Sequence, residues 1–163
     1  MQQLINKVAI VTGTSAPRGI GRAIALRLAQ EGAAVVVTDI AGSLTIEGAT
    51  YEKAERLSLL ASEIIEQGGQ ALPVTLDVTR EDDIRACIQS TLQAFGRIDI
   101  LVNNAGSLAG SDNFLSTTPE QWEASFRVNI LGPMMLSKAV IPEMRKVGGG
   151  RIINIGSTGS LGA

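Results

Sequence analysis

Gly13, Gly19 and Gly21 stand between an apolar run, Val8 to Val11, and a stretch with helical apolar spacing from Gly19 to Gln30. Glycines placed there let backbone N–H groups approach an anion at a helix N-terminus, where unpaired amides favour phosphate. Ile20 belongs to the same turn, and Arg18 beside it carries a guanidinium suited to a phosphate group. Asp39 closes a second apolar run, Ala34 to Thr38. A carboxylate at that point can accept hydrogen bonds from ribose hydroxyls and repel a 2′-phosphate. Together these residues read as a dinucleotide site in which Asp39 favours NAD, with Arg18 keeping NADP as the lesser alternative. The competing readings are a bare tight turn for the glycines and a solvated loop carboxylate for Asp39. Ser157 follows the apolar run Arg151 to Ile155, at the kind of sheet edge where open α/β sheets hold ligands. It is a candidate catalytic hydroxyl, against the reading of a polar strand end.

The elements that must position these groups alternate. Strands are expected at Val8 to Val11, Ala34 to Thr38, Ala71 to Leu76, Ile98 to Val102 and Arg151 to Ile155. Helices are expected over Gly19 to Gln30, over Tyr51 to Gln67, from a Thr79 cap to about Phe95, and over a long segment capped by Thr118 with Pro119 and Gln121. The stretch Ala41 to Thr50 reads as a polar loop, long for such a connection. Strands alternating with helices imply an α/β fold, a doubly wound parallel sheet of Rossmann type in a three-layer sandwich. Residues 1–163 form a single domain, expected to be incomplete on its C-terminal side, after the fifth strand. Cys87 is expected to face the core. Pro133 lacks the N–H that would reach the Asn129 carbonyl, so the long helix is expected either to kink and offer that carbonyl to a water or simply to bend around the core.

Composition excludes several classes. The chain has 163 residues with 14 Lys and Arg against 16 Asp and Glu, so no single-sign field invites nucleic acid. Apolar residues make up 45% without a run long enough to span a bilayer, so no membrane partner is expected and a cytoplasmic location is. There is no His, which removes the usual proton shuttle near neutral pH. Asp112, Glu120 and Glu123 read as loop, cap and helix-surface charges, and no metal is expected.

Thr12-Gly13 with Gly19-Ile20-Gly21, Asp77-Val78, Asn103-Asn104-Ala105-Gly106, Asn129 and Ile153-Asn154-Ile155-Gly156-Ser157 occur in one order along the chain. In that order the sequence resembles the N-terminal portion of a classical short-chain dehydrogenase/reductase. The glycine turn departs from the usual form by holding five residues, Thr14 to Arg18, between Gly13 and Gly19 instead of three. The resemblance implies that Gly13, Gly19, Ile20 and Gly21 line the pyrophosphate, Asp39 the adenosine ribose, and Asp77 with Val78 the adenine. It implies that Asn103, Ala105 and Gly106 line the cofactor from the fourth strand, that Ser157 holds the substrate oxygen, and that Asn129 helps hold a water in a proton relay. It further implies hydride transfer between a nicotinamide cofactor and a secondary alcohol or ketone, a sheet of order 3-2-1-4-5-6-7, and a homodimer or homotetramer packed through the long helix.

The family's proton-transferring pair is a Tyr followed four residues later by a Lys. Tyr51 is the one Tyr of the chain and is followed by Glu55, while Lys138 has no neighbouring Tyr. Ser157 alone is a poor base at neutral pH. Residues 1–163 are therefore expected to be inactive alone, as part of a longer dehydrogenase. The alternative is a naturally short, non-catalytic nucleotide-binding or interaction protein.

Overall fold

The computed structural model describes residues 2–110 and 114–157. Its elements are β1 (Val8–Thr12), α1 (Ile20–Gln30), β2 (Ala34–Asp39), β3 (Ser43–Ile46), β4 (Ala49–Glu52), α2 (Lys53–Glu66), β5 (Gln70–Thr75), α3 (Glu81–Phe95), β6 (Ile100–Asn103), α4 (Pro119–Phe126), α5 (Gly132–Lys146) and β7 (Arg151–Asn154). The main sheet is parallel throughout, with order β5-β2-β1-β6-β7. Counted by the expected strands this is 3-2-1-4-5, and each crossover places its helix on a sheet face.

Side chains in β1, β2 and β6 alternate between two cores, because successive residues of a strand point to opposite faces. Ala9, Val11, Val35, Val37, Ile100 and Val102 pack with Ala25, Ala29, Leu57, Leu60 and Ile64 of α1 and α2. Ile10, Val36 and Leu101 pack with Ile84, Cys87, Leu136, Val140 and Met144 of α3 and α5. Covering on both faces explains why these strands are continuous apolar runs rather than alternating ones. Cys87 is fully buried in the second core, and burial pushes its thiol up to about 12, with the Thr91 hydrogen bond only partly offsetting it.

Three expectations need correction. The stretch Ala41 to Thr50 is not a loop but most of an antiparallel hairpin, β3 with β4, pairing Leu44 with Tyr51 and Ile46 with Ala49. Its two-residue turn places Glu47 at φ 52° and Gly48 at φ 81°, the positive angles that a type I′ hairpin turn requires. Tyr51 consequently belongs to β4, and the helix begins at Lys53. Thr79 does not cap α3. Its hydroxyl donates to Asp77 Oδ1 at 2.7 Å, a stronger acceptor close at hand, and Arg80 takes the N-cap position with no side-chain cap.

By contrast, Thr118 forms the full capping box, its hydroxyl accepting from the Gln121 N–H and the Gln121 side chain accepting from the Thr118 N–H. Between α4 and α5 the helix widens over Arg127–Leu131 into a π turn, in which the Gly132 N–H reaches back to the Arg127 carbonyl. Pro133 falls in the first turn of α5, directly after this widening. Among the described residues, no helix is long and apolar enough to cross a membrane.

Candidate cofactor site

At the C-terminal ends of β1, β2 and β6 the chain encloses a cleft of about 500 Å³. Gly13, Gly19, Ile20, Asp39, Asp77, Val78, Ala105 and Gly106 all line it, so the structure gathers most of the residues singled out from the sequence. Helix α1 starts at this cleft with Gly19 as N-cap, no side-chain cap and no acidic residue in its first turn. Its first amides thus lack side-chain acceptors, the arrangement that receives an anion. Ile20, the first residue of that helix, is 63% exposed.

Two glycines are needed for backbone packing here. Gly13 has φ 72°, and a Cβ on Gly21 would fall on the Gly13 carbonyl oxygen and the Asn104 side-chain amide. The turn is folded tightly against the end of β6. Thr12, 1% exposed, makes the join. Its hydroxyl oxygen accepts from the Asn104 N–H at 3.0 Å and the Ala105 N–H at 2.9 Å, and its O–H is 3.4 Å from the Val102 carbonyl. Asn104 returns the contact, donating through Nδ2 to the Thr12 carbonyl at 2.8 Å and the Gly13 carbonyl at 3.0 Å. The sequence places Asn104 in a turn. The structure makes it a two-way lock.

Asp39 is more occupied than its position alone conveys. Its Oδ2 accepts from the Ser15 N–H at 3.1 Å and the Ser15 hydroxyl at 2.8 Å, and its Oδ1 accepts from the Ile40 N–H at 2.9 Å. Lys53 Nζ lies 3.4 Å from Oδ1, and Lys53 itself lines the cleft with Leu44 of the hairpin. Arg18 is not in the cleft lining: it is 81% exposed and pairs with Glu47 of the hairpin turn at 2.6 Å. Asp77 Oδ1 accepts from the Thr79 N–H and hydroxyl, while its own N–H donates to Asp83 Oδ2. Val78 is pressed against Gly132, where a Cβ would meet Val78 Cγ2 at 2.8 Å.

Asn103 is buried and is not among the residues lining the cleft; it donates through Nδ2 to Asn154 Oδ1 at 2.8 Å, linking the ends of β6 and β7. Its Oδ1 is buried without a partner among the described residues. The Asn129 side chain clamps the loop after β6, with Oδ1 accepting from the Ser107 N–H at 2.8 Å and Nδ2 donating to the Ser107 carbonyl at 3.0 Å. Ser125 also accepts from Nδ2 at 3.0 Å. Ser157 follows β7 at the same sheet edge. Sequence reasoning missed Ser15, Lys53 and Ser107. Ser15 and Ser107 have no spacing signal, while Lys53 is brought back beside Asp39 only by the hairpin.

Residues 7–162 match the family described as short chain dehydrogenase. A 3-oxoacyl-[acyl-carrier-protein] reductase of Synechocystis sp. is 40% identical over 161 residues, covering 99% of this chain and 60% of that protein. A (2S)-[(R)-hydroxy(phenyl)methyl]succinyl-CoA dehydrogenase subunit of Thauera aromatica is 36% identical, covering 96% of this chain and 57% of that one. Among solved structures, a metagenomic short-chain oxidoreductase in complex with NADP matches with TM-score 0.79 and 38% identity, over 94% of this chain and 63% of its own. A 7α-hydroxysteroid dehydrogenase complexed with NADH and 7-oxo glycochenodeoxycholic acid matches with TM-score 0.85 and 34% identity, over 99% of this chain and 57% of its own. The chain spans about three fifths of the length of these relatives. Motif order, parallel sheet and matched residues agree, and the chain belongs to the short-chain dehydrogenase family.

Proposed function

We propose that the protein is a nicotinamide-dependent oxidoreductase interconverting a secondary alcohol and its ketone, with residues 1–163 forming the cofactor side of the site. The observation that carries this reading is the N-terminus of α1, which has no side-chain cap or first-turn carboxylate and starts at the cleft lined by Asp39, Asp77, Val78, Ala105 and Gly106. That donor set fits a dinucleotide. The Gly13 to Gly21 turn would hold the pyrophosphate, Asp39 the adenosine ribose, Asp77 and Val78 the adenine, and Asn103, Ala105 and Gly106 the remainder. When bound, the nicotinamide supplies or accepts the hydride.

Asp39 favours NAD over NADP through the charge of its carboxylate. Ser157 holds the substrate oxygen by hydrogen bonding. Because the Asn129 amide is committed to Ser107 and Ser125, its part in holding a water falls to its backbone carbonyl. The substrate is a small-molecule alcohol or carbonyl compound. Trp122, Phe126, Ile130 and Met134 are each about half exposed at four-residue intervals, and on this row we place the contact of a homo-oligomer, a dimer or tetramer.

The test is a titration of the full-length protein with NAD and NADP, followed by turnover of secondary alcohols and ketones read from nicotinamide absorbance. Cofactor binding with turnover is expected. Absence of binding by either cofactor would sink the reading. Residues 1–163 contain no Tyr followed four positions later by Lys, so on their own they are expected to bind cofactor without turning substrate over.

A further inference from the structure

An ionised carboxylate offers about four acceptor positions. At Asp39 three are filled by short hydrogen bonds, from the Ser15 N–H, the Ser15 hydroxyl and the Ile40 N–H. The fourth donor is the Lys53 ammonium, at 3.4 Å the longest of the set. The three short contacts come from the glycine turn and from the backbone next to Asp39, and they hold the end of β2 to that turn. Lys53 is different in kind. It sits on a flexible stem, lines the cleft, and is shielded along with its partner, the two side chains being 19% and 13% exposed.

Its backbone is anchored at the hairpin. The hairpin β3–β4 carries the chain out from β2 and back, and the Lys53 N–H donates to the Gly42 carbonyl at 2.9 Å, tying the start of α2 to the base of the hairpin. Arg18, the cation that the sequence offers for a 2′-phosphate, is instead turned onto Glu47. Among the described residues, Lys53 is the one cation in the cleft lining.

We propose that Lys53 is a cofactor-specificity residue that makes the site accept NADP as well as NAD. This rests on the nicotinamide reading above. With Lys53 on Asp39, the carboxylate is neutralised locally, so a 2′-phosphate does not meet a bare negative charge. The ammonium moves from Asp39 Oδ1 to the phosphate, exchanging one charged acceptor for another while Ser15 and Ile40 keep Asp39 in place. With NAD, Lys53 yields its place on Oδ1 to a ribose hydroxyl. The residue thus lowers the discrimination that Asp39 alone would impose.

The experiment measures dissociation constants of NAD and NADP, oxidised and reduced, for the full-length protein, its Lys53→Gln variant and its Lys53→Arg variant. Loss of one charge-assisted contact, together with unmasking of Asp39, is expected to weaken NADP by about 10- to 100-fold in Lys53→Gln while NAD changes by less than about threefold. Lys53→Arg is expected to restore most of the NADP affinity. An equal loss for both cofactors, which a purely structural ion pair would produce, overturns the proposal. Unchanged NADP affinity in a folded Lys53→Gln protein overturns it too. If Lys53→Gln does not fold, strong exclusion of NADP by the wild-type protein or by Lys53→Arg overturns it. Failure of the wild-type protein to bind either cofactor overturns the nicotinamide reading itself, whereas wild-type binding of NAD alone overturns only the role given to Lys53.

Discussion

Replacing Thr12 with Val keeps the shape of the side chain and removes only the hydroxyl. That hydroxyl is the acceptor for two backbone N–H groups, those of Asn104 and Ala105, and a long donor to the Val102 carbonyl. A fully buried amide left without an acceptor costs about 1 to 3 kcal/mol. Both amides here are only partly buried, so water can reach them and the lower end applies to each. The expected loss is about 2 kcal/mol in total, or a fall of about 4 to 8 °C in Tm for a protein of this size class. Because the released loop carries Ala105 and Gly106 into the cleft wall, cofactor affinity should fall as well. Thr12→Ser, which keeps the hydroxyl and loses a methyl group, should retain most of the affinity. Urea denaturation and cofactor titration of the full-length protein check both effects. A Thr12→Val protein with wild-type stability and wild-type cofactor affinity would refute the idea that this hydroxyl joins the two halves of the site.

Two further predictions concern titratable groups. Burial pushes the Asp99 carboxyl up, but hydrogen bonds from Arg97, the Val8 N–H and Lys7 outweigh it and hold the carboxyl below its ordinary value. A lowered folded pKa means stability that is present above the unfolded value of about 3.9 and lost as pH falls through the folded one. Asp99→Asn should cost about 2 to 3 kcal/mol at neutral pH, less than a fully buried pair since Arg97 and Lys7 reach solvent, and should flatten the acid limb of the stability curve; an unchanged acid limb in urea melts would count against it. The Cys87 thiol, pushed up to about 12, should resist a thiol reagent at about pH 8 in the native protein and react on unfolding. Rapid labelling of native protein would place Cys87 outside the core.

The centre of the main sheet was legible because β1, β2 and β6 are buried on both faces and are written as short apolar runs. The helices carry their own stops, such as Gly96, at φ 74° in the left-handed C-terminal cap of α3. The hairpin was hidden for the opposite reason. Its residues are largely exposed, so Ser43 to Glu52 carries no apolar run, and its signal was the Glu47-Gly48 pair between β-formers. Thr79 shows how a capping pattern loses to a carboxylate two residues away. In the candidate site, the glycines and Asp39 were visible because backbone approach and charge act at fixed distances along the chain. Lys53, Ser15 and Ser107 were not, since their partners depend on how the hairpin and the loop after β6 fold back.

The strand order carries a consequence for how the site comes into being. Residues 8–75 build β1, β2 and β5 with their two helices from neighbours in sequence, whereas β1 meets β6 only across the long excursion from Val11 to Ile100. Contacts of that separation cost more loop entropy before they return any stabilisation, and they form late in a folding reaction. The cleft lies on that seam, with the glycine turn on one side and the Asn104-Ala105-Gly106 loop on the other. A chain in which the two parts have folded but not yet docked therefore has helix α1 and Asp39 in place and still no complete pocket. A ligand that bridges the seam stabilises the pairing of β1 with β6, the one of greatest sequence separation in the sheet.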